Sequence, residues 1–187
     1  MLVEEDVVRT EMLAETLFSE GFNIAARMTW CDDLIAAVKR INPDILVIDM
    51  EEPEPMIFEQ LIEINTLEPI PVVFFAEKGE SQIIQKAVKA GVSAFVVDGL
   101  TARRIKPVID LAIARFKEIQ SLHKALDDTR SRLEERKLVE RAKGILMKSK
   151  QISEDEAYQL LRKLAMEKNK KLADIAKTTI EMSKLFS

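Results

Sequence analysis

The chain has 187 residues, of which 47% are apolar and 32% charged, and its formal net charge is −4. This composition is typical of a soluble globular protein, and no apolar run approaches the roughly 20 residues that a membrane-spanning helix needs. A single cysteine and a single histidine exclude an internal disulfide and any recognisable zinc site, so we expect a cytoplasmic protein without a bound metal centre.

The first part of the chain, to about residue 115, alternates short apolar runs with amphipathic helical stretches. Strands this apolar are buried on both faces, so the pattern predicts a doubly wound parallel sheet of five strands flanked by helices. The predicted strands are Leu2–Val3, Asn23–Ala26, Ile45–Asp49, Val72–Ala76 and Ala94–Val97. The predicted helices are Val8–Glu20, Asp33–Ile41, Met56–Asn65, Glu80–Ala90 and Ala102–Phe116.

Acidic residues lie at the ends of the first and third predicted strands. Glu4, Glu5 and Asp6 follow the first strand, and Asp49 is the last residue of the third. In parallel sheets ligands bind at the carboxyl ends of the strands. The resemblance that these residues carry is to the receiver domains of response regulators, and it implies that Asp49 occupies the phosphoacceptor position. It also implies that Glu4 and Glu5 form the acidic pocket for a divalent cation. Further segments that carry the resemblance are Pro43–Asp49 with Pro53, Pro71–Phe75 and Ala90–Phe95.

Two positions depart from the receiver pattern. Ala76 stands where a receiver has Ser or Thr after its fourth strand, and Asp98-Gly99 stands where it has Lys-Pro. The second change turns an attraction of roughly 4 kcal/mol toward a phosphoryl group, at about 4 Å and an effective dielectric constant near 20, into a repulsion. We therefore do not expect stable phosphorylation of Asp49. The remaining acids form either a vestigial pocket or a weak Mg²⁺ site at Glu5 and Asp49.

Beyond the fifth predicted helix, apolar residues continue at spacings of three and four. This heptad pattern predicts one long helix that carries a parallel coiled-coil dimer. His123 and Arg130 fall on the same seam, where polar residues fix register and partner number. The alternative is that Leu122 and Thr129 shift the stripe and the helix folds back on the first half of the chain. The predicted dimer seam consists of Ile109, Phe116, Ile119, Leu126 and Leu133.

The C-terminal segment has the opposite charge to the rest of the chain. Residues 135–187 hold 13 Lys and Arg against 8 Asp and Glu, whereas the preceding residues hold 15 against 24. Local positive charge of this kind is the electrostatic footprint of polyanion binding, although charge does not distinguish RNA from DNA. Three segments have helical periodicity, and Ser153 with Glu156 forms a capping box that starts the second. The sequence therefore predicts a small all-α domain of three helices.

The run Arg141–Met147, followed by Ser153–Tyr158 and Leu161-Arg162, resembles the ANTAR domain of transcription antitermination regulators, the AmiR/NasT family. The resemblance implies binding of a leader RNA with two short stem-loops, which favours the antitermination conformation. We expect Arg162 to contact a base edge or stack on a base, and the lysines to contact phosphates. The expected RNA-binding residues are Ala142, Lys143, Gly144, Lys148, Lys150, Tyr158, Arg162, Lys163 and Lys168.

Several of these residues have an alternative explanation. Ala142 and Gly144 are also the residues expected where two helices pack closely, and the lysines are equally expected on a solvated surface. Glycine within a helix costs roughly 1 kcal/mol relative to alanine, so Gly144 indicates a close backbone approach by a helix or by a nucleotide.

The order of the three parts is similar to that of the nitrate-assimilation regulators of the same family, and implies control by a ligand-sensing inhibitory protein rather than by phosphorylation. We therefore expect a cytoplasmic, homodimeric antitermination regulator of nitrate or nitrite assimilation genes, with domains at residues 1–104, 105–134 and 135–187. The alternatives are a DNA-binding response regulator and a protein-binding adaptor with a phosphorylated receiver. An enzyme is not expected, because the sequence shows no nucleophile with a base, no Gly-rich phosphate loop and no metal cluster.

Overall fold

The computed structural model describes residues 1–5, 7–98 and 101–185. Asp6 and Gly99, to which the receiver resemblance assigns positions, and Phe186 lie outside the described residues. The chain divides into two compact units, Met1–Gln120 and Ser121–Ser187. This division falls inside the predicted linker of residues 105–134, whose own limits stay predictions. Within the described ranges, no helix combines the length and apolarity needed to cross a membrane.

The first unit is built on a parallel sheet of five strands in the order β2-β1-β3-β4-β5. This confirms the predicted doubly wound sheet. The strand order reverses between β1 and β3, where Glu4 and Asp49 are register partners, so both carboxylates belong to the switch point at which such sheets bind ligands. The strands are β1 (Leu2–Glu4), β2 (Arg27–Thr29), β3 (Leu46–Met50), β4 (Val72–Ala76) and β5 (Ala94–Val97).

The second strand lies further along the chain than the predicted segment Asn23–Ala26. Phe22 and Ile24 pack against the unit's core, which accounts for their apolar spacing without a strand. The backbone pairing begins where Leu2 N–H donates to the carbonyl of Ala26 at 3.0 Å, and it continues through β2. Because β2 is a largely exposed edge strand, hydrophobicity does not mark it in the sequence.

Helices cover both faces of the sheet, because successive strand residues point to opposite sides. Helix α1 (Val7–Ser19) and the start of α5 (Ala102–Lys150) pack on one face, around Phe75. Helices α2 (Leu34–Ile41), α3 (Pro55–Leu67) and α4 (Ser81–Lys89) pack on the other, around Phe74.

The second unit contains three helices, as predicted. They are the C-terminal part of α5, α6 (Glu154–Glu167) and α7 (Leu172–Leu185). The predicted capping box is present: Ser153 Oγ accepts from Glu156 N–H at 3.3 Å, and Glu156 Oε2 accepts from Ser153 N–H at 2.8 Å. Gln151 and Asn169 adopt left-handed φ values of 55° and 49° in the two connections, where the chain must leave the helical conformation.

Candidate nucleic-acid interface and receiver pocket

The predicted RNA contact Ala142 is wrong for this structure, because its side chain is fully buried. It packs in the three-helix core with Ala157 of α6 and Ala176 of α7. Small residues at these positions let the helix backbones approach closely. The alternative explanation from the sequence, helix packing, is therefore the one that applies to Ala142.

The predicted phosphate contact Lys143 is also buried, with 8% of its surface exposed. Its ammonium group lies 2.8 Å from Glu140 Oε1 and 2.6 Å from Glu154 Oε1, so it joins α5 to the start of α6. The hydrogen bonds that Lys143 donates to these two glutamates raise the pKa of Lys143, and the one to Glu154 lowers the pKa of Glu154. Two carboxylates already neutralise this cation, so its role here is to hold two helices together.

Gly144 is half-buried, and a Cβ atom added there would meet nothing within 4 Å. Close approach by a neighbouring helix therefore does not require a glycine at this position. Of the two explanations for Gly144, approach by a nucleotide is the one that stays open.

The other predicted contact residues all lie on the surface of the second unit. Lys148 lines a groove with Ile145, Thr179 and Met182, on the α5–α7 side. Lys163 lies 3.9 Å from Glu167, a pair too exposed to restrain it. The exposed predicted residues are Lys148, Lys150, Tyr158, Arg162, Lys163 and Lys168.

Sequence reasoning missed three cations that lie together around Tyr158. A cleft of about 530 Å³ is lined by Arg132 and Arg136 of α5, Tyr158 of α6 and Lys171, which directly precedes α7. The ANTAR resemblance begins at Arg141 and so did not draw attention to Arg132 or Arg136. The signal available was their spacing of four residues, which places both on one face of a helix.

Glu4 and Glu5 of the predicted acidic pocket both have protein partners. Arg27 Nη2 donates to Glu4 Oε2 at 2.9 Å, and Arg27 Nε lies 3.1 Å from Glu4 Oε1. Glu5 Oε2 accepts from the backbone N–H of Glu51 at 3.0 Å. No group of three or more potential ligands that could hold a metal ion occurs among the described residues. The contact of Glu5 with Glu51 competes with the weak Mg²⁺ site predicted at Glu5 and Asp49, which stays a prediction.

Asp49, at the predicted phosphoacceptor position, is buried, and two residues of the receiver pattern differ in this chain. Asp49 is 1% exposed, and Ala76, which ends β4, offers no hydroxyl. Asp98 follows β5 in a left-handed conformation with φ 50° and is exposed, so no lysine stands at this place. The two positions that the receiver pattern assigns to a hydroxyl and an ammonium group therefore carry a methyl group at Ala76 and a carboxylate at Asp98.

The predicted dimer seam is wrong at Ile109, which is fully buried in the core of the first unit. Phe116 is half-buried, whereas Ile119, Leu126 and Leu133 are exposed to 47%, 48% and 54%. Leu122, which the sequence offered as an alternative, is 63% exposed. With 3.6 residues per turn, Leu122, Leu126 and Leu133 fall within about 40° of arc on α5. The exposed apolar stripe therefore runs through Leu122, and His123 and Arg130 flank it.

Comparison with known proteins assigns the second unit. Residues 127–180 match the ANTAR domain family. This segment contains the three-helix core, the buried Lys143 and the cleft around Tyr158. The match extends N-terminal to the motif run and includes Arg132 and Arg136.

The full chain is similar to regulatory proteins. It is 29% identical to the transcriptional regulatory protein PdtaR of Mycobacterium tuberculosis, over 97% of this chain and 89% of that protein. It is 30% identical to the nitrate regulatory protein of Klebsiella oxytoca, over 68% of this chain and 31% of that protein. The fold of the first unit is that of a CheY-like receiver domain from Methanospirillum hungatei, with 15% identity, a TM-score of 0.53, and coverage of 63% of this chain and 94% of that one.

Proposed function

We propose that this chain, whose residues 127–180 match the ANTAR domain family, is a transcription antitermination regulator that binds a leader RNA with two hairpins, as a homodimer, and that it is not an enzyme. The observation that carries the proposal is the ANTAR match at residues 127–180, on a unit whose exposed cations include Lys148, Lys150, Arg162, Lys163 and Lys168. Cations on a compact helical surface bind RNA phosphates with release of counterions.

The exposed apolar stripe on α5 supports the proposed homodimer. Three leucines, Leu122, Leu126 and Leu133, are exposed on a helix segment whose other residues are mostly polar. Burial of this stripe against a second copy in a coiled coil would remove it from water. Two copies would present two ANTAR units, which matches the number of hairpins in the proposed RNA.

We also propose that a protein partner that senses a ligand controls this chain, in place of phosphorylation. Ala76 and Asp98 support this, because they replace the hydroxyl and ammonium groups on which receiver phosphorylation depends. The bond between Arg27 and Glu4 supports it further, because a guanidinium group already neutralises a carboxylate of the acidic pocket. For the target genes we propose nitrate or nitrite assimilation, which the similarity to the Klebsiella protein supports.

The test of RNA binding is a gel-shift titration of the full chain at low salt. RNA with paired stem-loops is obtained by selection from a pool with randomised loops, and it is compared with duplex DNA of the same sequence. We expect retention of the selected RNA and at least tenfold weaker retention of the DNA. Equal affinity for both would favour a DNA-binding regulator, and no retention of RNA by folded protein would refute the proposal.

A further inference from the structure

The cleft around Tyr158 combines an aromatic ring with three cations. Arg132 and Arg136 approach it from α5, and Lys171 from the connection between α6 and α7. Tyr158 is the one tyrosine of the chain, and 39% of its surface is exposed. The volume of about 530 Å³ exceeds what a single side chain would fill.

The electrostatics of the cleft favour an anion, although two glutamates also line it. Glu140 lies 2.8 Å from the ammonium group of the buried Lys143, which it shares with Glu154, so its charge is partly offset. Glu135 is the other carboxylate, against Arg132, Arg136 and Lys171. Positive charge is therefore in excess around the aromatic ring, and it comes from α5 and from the connection that precedes α7.

An unpaired nucleotide has the chemistry that this arrangement fits. A base stacks on an aromatic ring whatever its sequence, and its flanking phosphates pair with arginine and lysine. We propose that the cleft binds one unpaired loop nucleotide of the RNA, with its base stacked on Tyr158 and its flanking phosphates held by Arg132, Arg136 and Lys171. This inference rests on the proposed function. It assigns the base contact to Tyr158 and the phosphate contacts to the three cations of the cleft.

The test uses the full chain and the selected two-hairpin RNA, with 2-aminopurine placed at each loop position in turn. Emission of 2-aminopurine is quenched by stacking. We expect one loop position to be quenched in the wild-type complex, quenching to be retained with Tyr158→Phe, and emission to rise with Tyr158→Leu. Loss of one stacked base should lower the affinity by about five- to a hundredfold for Tyr158→Leu.

Cation variants test the phosphate contacts independently of the ring. Arg136→Gln should weaken binding and lower the slope of log affinity against log salt by about 0.7, the value for one single-stranded phosphate contact. Lys177→Gln is the matched control, because Lys177 is an exposed cation of α7 that does not line the cleft. If Tyr158→Leu does not fold, Arg136→Gln and the wild-type quenching still decide the question.

The two possible failures are distinguishable. Wild-type protein that retains RNA, while no loop position is quenched and both Arg136→Gln and Tyr158→Leu bind normally, would overturn the cleft but leave the proposed function standing. Wild-type protein that retains no RNA would overturn the proposed function itself. An acidic peptide as the true occupant would give the first result, because its binding needs no base stacking.

Discussion

Arg27 and Glu4 form a paired contact at the carboxyl end of the central strands, with Arg27 Nη2 2.9 Å from Glu4 Oε2. Glu4 is 7% exposed, so its carboxylate depends on this guanidinium for charge compensation. A cation held by the same carboxylate would have to displace an arginine. The contact balances the charge of Glu4 with a cation of the protein itself.

The first prediction concerns stability of the receiver unit. Arg27→Gln leaves the carboxylate of Glu4 buried without its charged partner, which should lower the free energy of unfolding by about 1–3 kcal/mol. Urea unfolding followed through Trp30, the one tryptophan of the chain, measures this. The control is Lys78→Gln, which removes an exposed pair with Glu52 at 3.1 Å and should have a smaller effect. Equal effects of the two substitutions would contradict the account.

A second prediction is that Mg²⁺ and beryllofluoride leave the wild-type receiver unchanged. Glu4 and Glu5 already have protein partners, and Asp49 lacks a neighbouring hydroxyl at Ala76. Titration of the full chain with millimolar Mg²⁺, with and without beryllofluoride, should shift neither the Trp30 emission nor the unfolding midpoint. A saturable change that disappears with Asp49→Asn would show that the pocket still binds a phosphoryl analogue.

The sequence predicted the architecture well because its signals are local and redundant. The buried strands around Asp49 and Phe74 are apolar on both faces, and the Ser153–Glu156 capping box marks a helix start without any tertiary information. The edge strand at Arg27 was not predicted, because its pairing with β1 depends on the tertiary structure and its residues are largely exposed. The burial of Ala142 and Lys143 could not be predicted from the motif either. A motif shows which residues recur, and it does not show whether their side chains face the core or the solvent.

Ala142 and Gly144 give a third, matched prediction. Ala142→Leu inserts volume into a closely packed core and should lower the free energy of unfolding by about 1–3 kcal/mol. In Gly144→Ala the added Cβ meets nothing within 4 Å, and a helical glycine is removed. The free energy of unfolding should therefore rise by about 0.5–1 kcal/mol. Thermal unfolding followed by circular dichroism distinguishes the two. If the Gly144→Ala protein is more stable but binds RNA more weakly, the glycine allows a nucleotide to approach the helix backbone. A loss of stability would contradict the open space around Gly144.

The ion pairs of Lys143 give a fourth prediction, on pH. Lys143 holds the pKa of Glu154 below its ordinary value of 4.5, so this contact stabilises the fold above about pH 4.5 and is lost as the pH falls through the folded-state pKa. The difference in thermal unfolding midpoint between wild type and Glu154→Gln should therefore be present at pH 7 and become smaller below pH 4.5. Glu134→Gln, which removes an exposed pair with Lys137, is the control and should show a smaller difference at pH 7. A difference for Glu154→Gln that does not change with pH would refute the assignment.

A fifth prediction concerns the stripe on α5. Leu126→Lys places a charge on the exposed apolar stripe and should convert the dimer to monomer, measured by sedimentation of the full chain at tens of micromolar. Ala125→Lys makes the same charge change one residue away, off the stripe, and should leave the dimer intact. Wild-type protein that sediments only as a monomer, both without and with RNA, would refute the proposed coiled-coil dimer.

The most direct measurement of the central claim is single-round transcription through a leader that carries the selected two-hairpin RNA upstream of a terminator. We expect added wild-type protein to raise read-through in proportion to RNA occupancy. A variant that replaces Lys148, Lys150 and Arg162 by Gln should do so only at much higher concentration. Read-through that stays at its basal level while the RNA is fully bound would contradict an antitermination function.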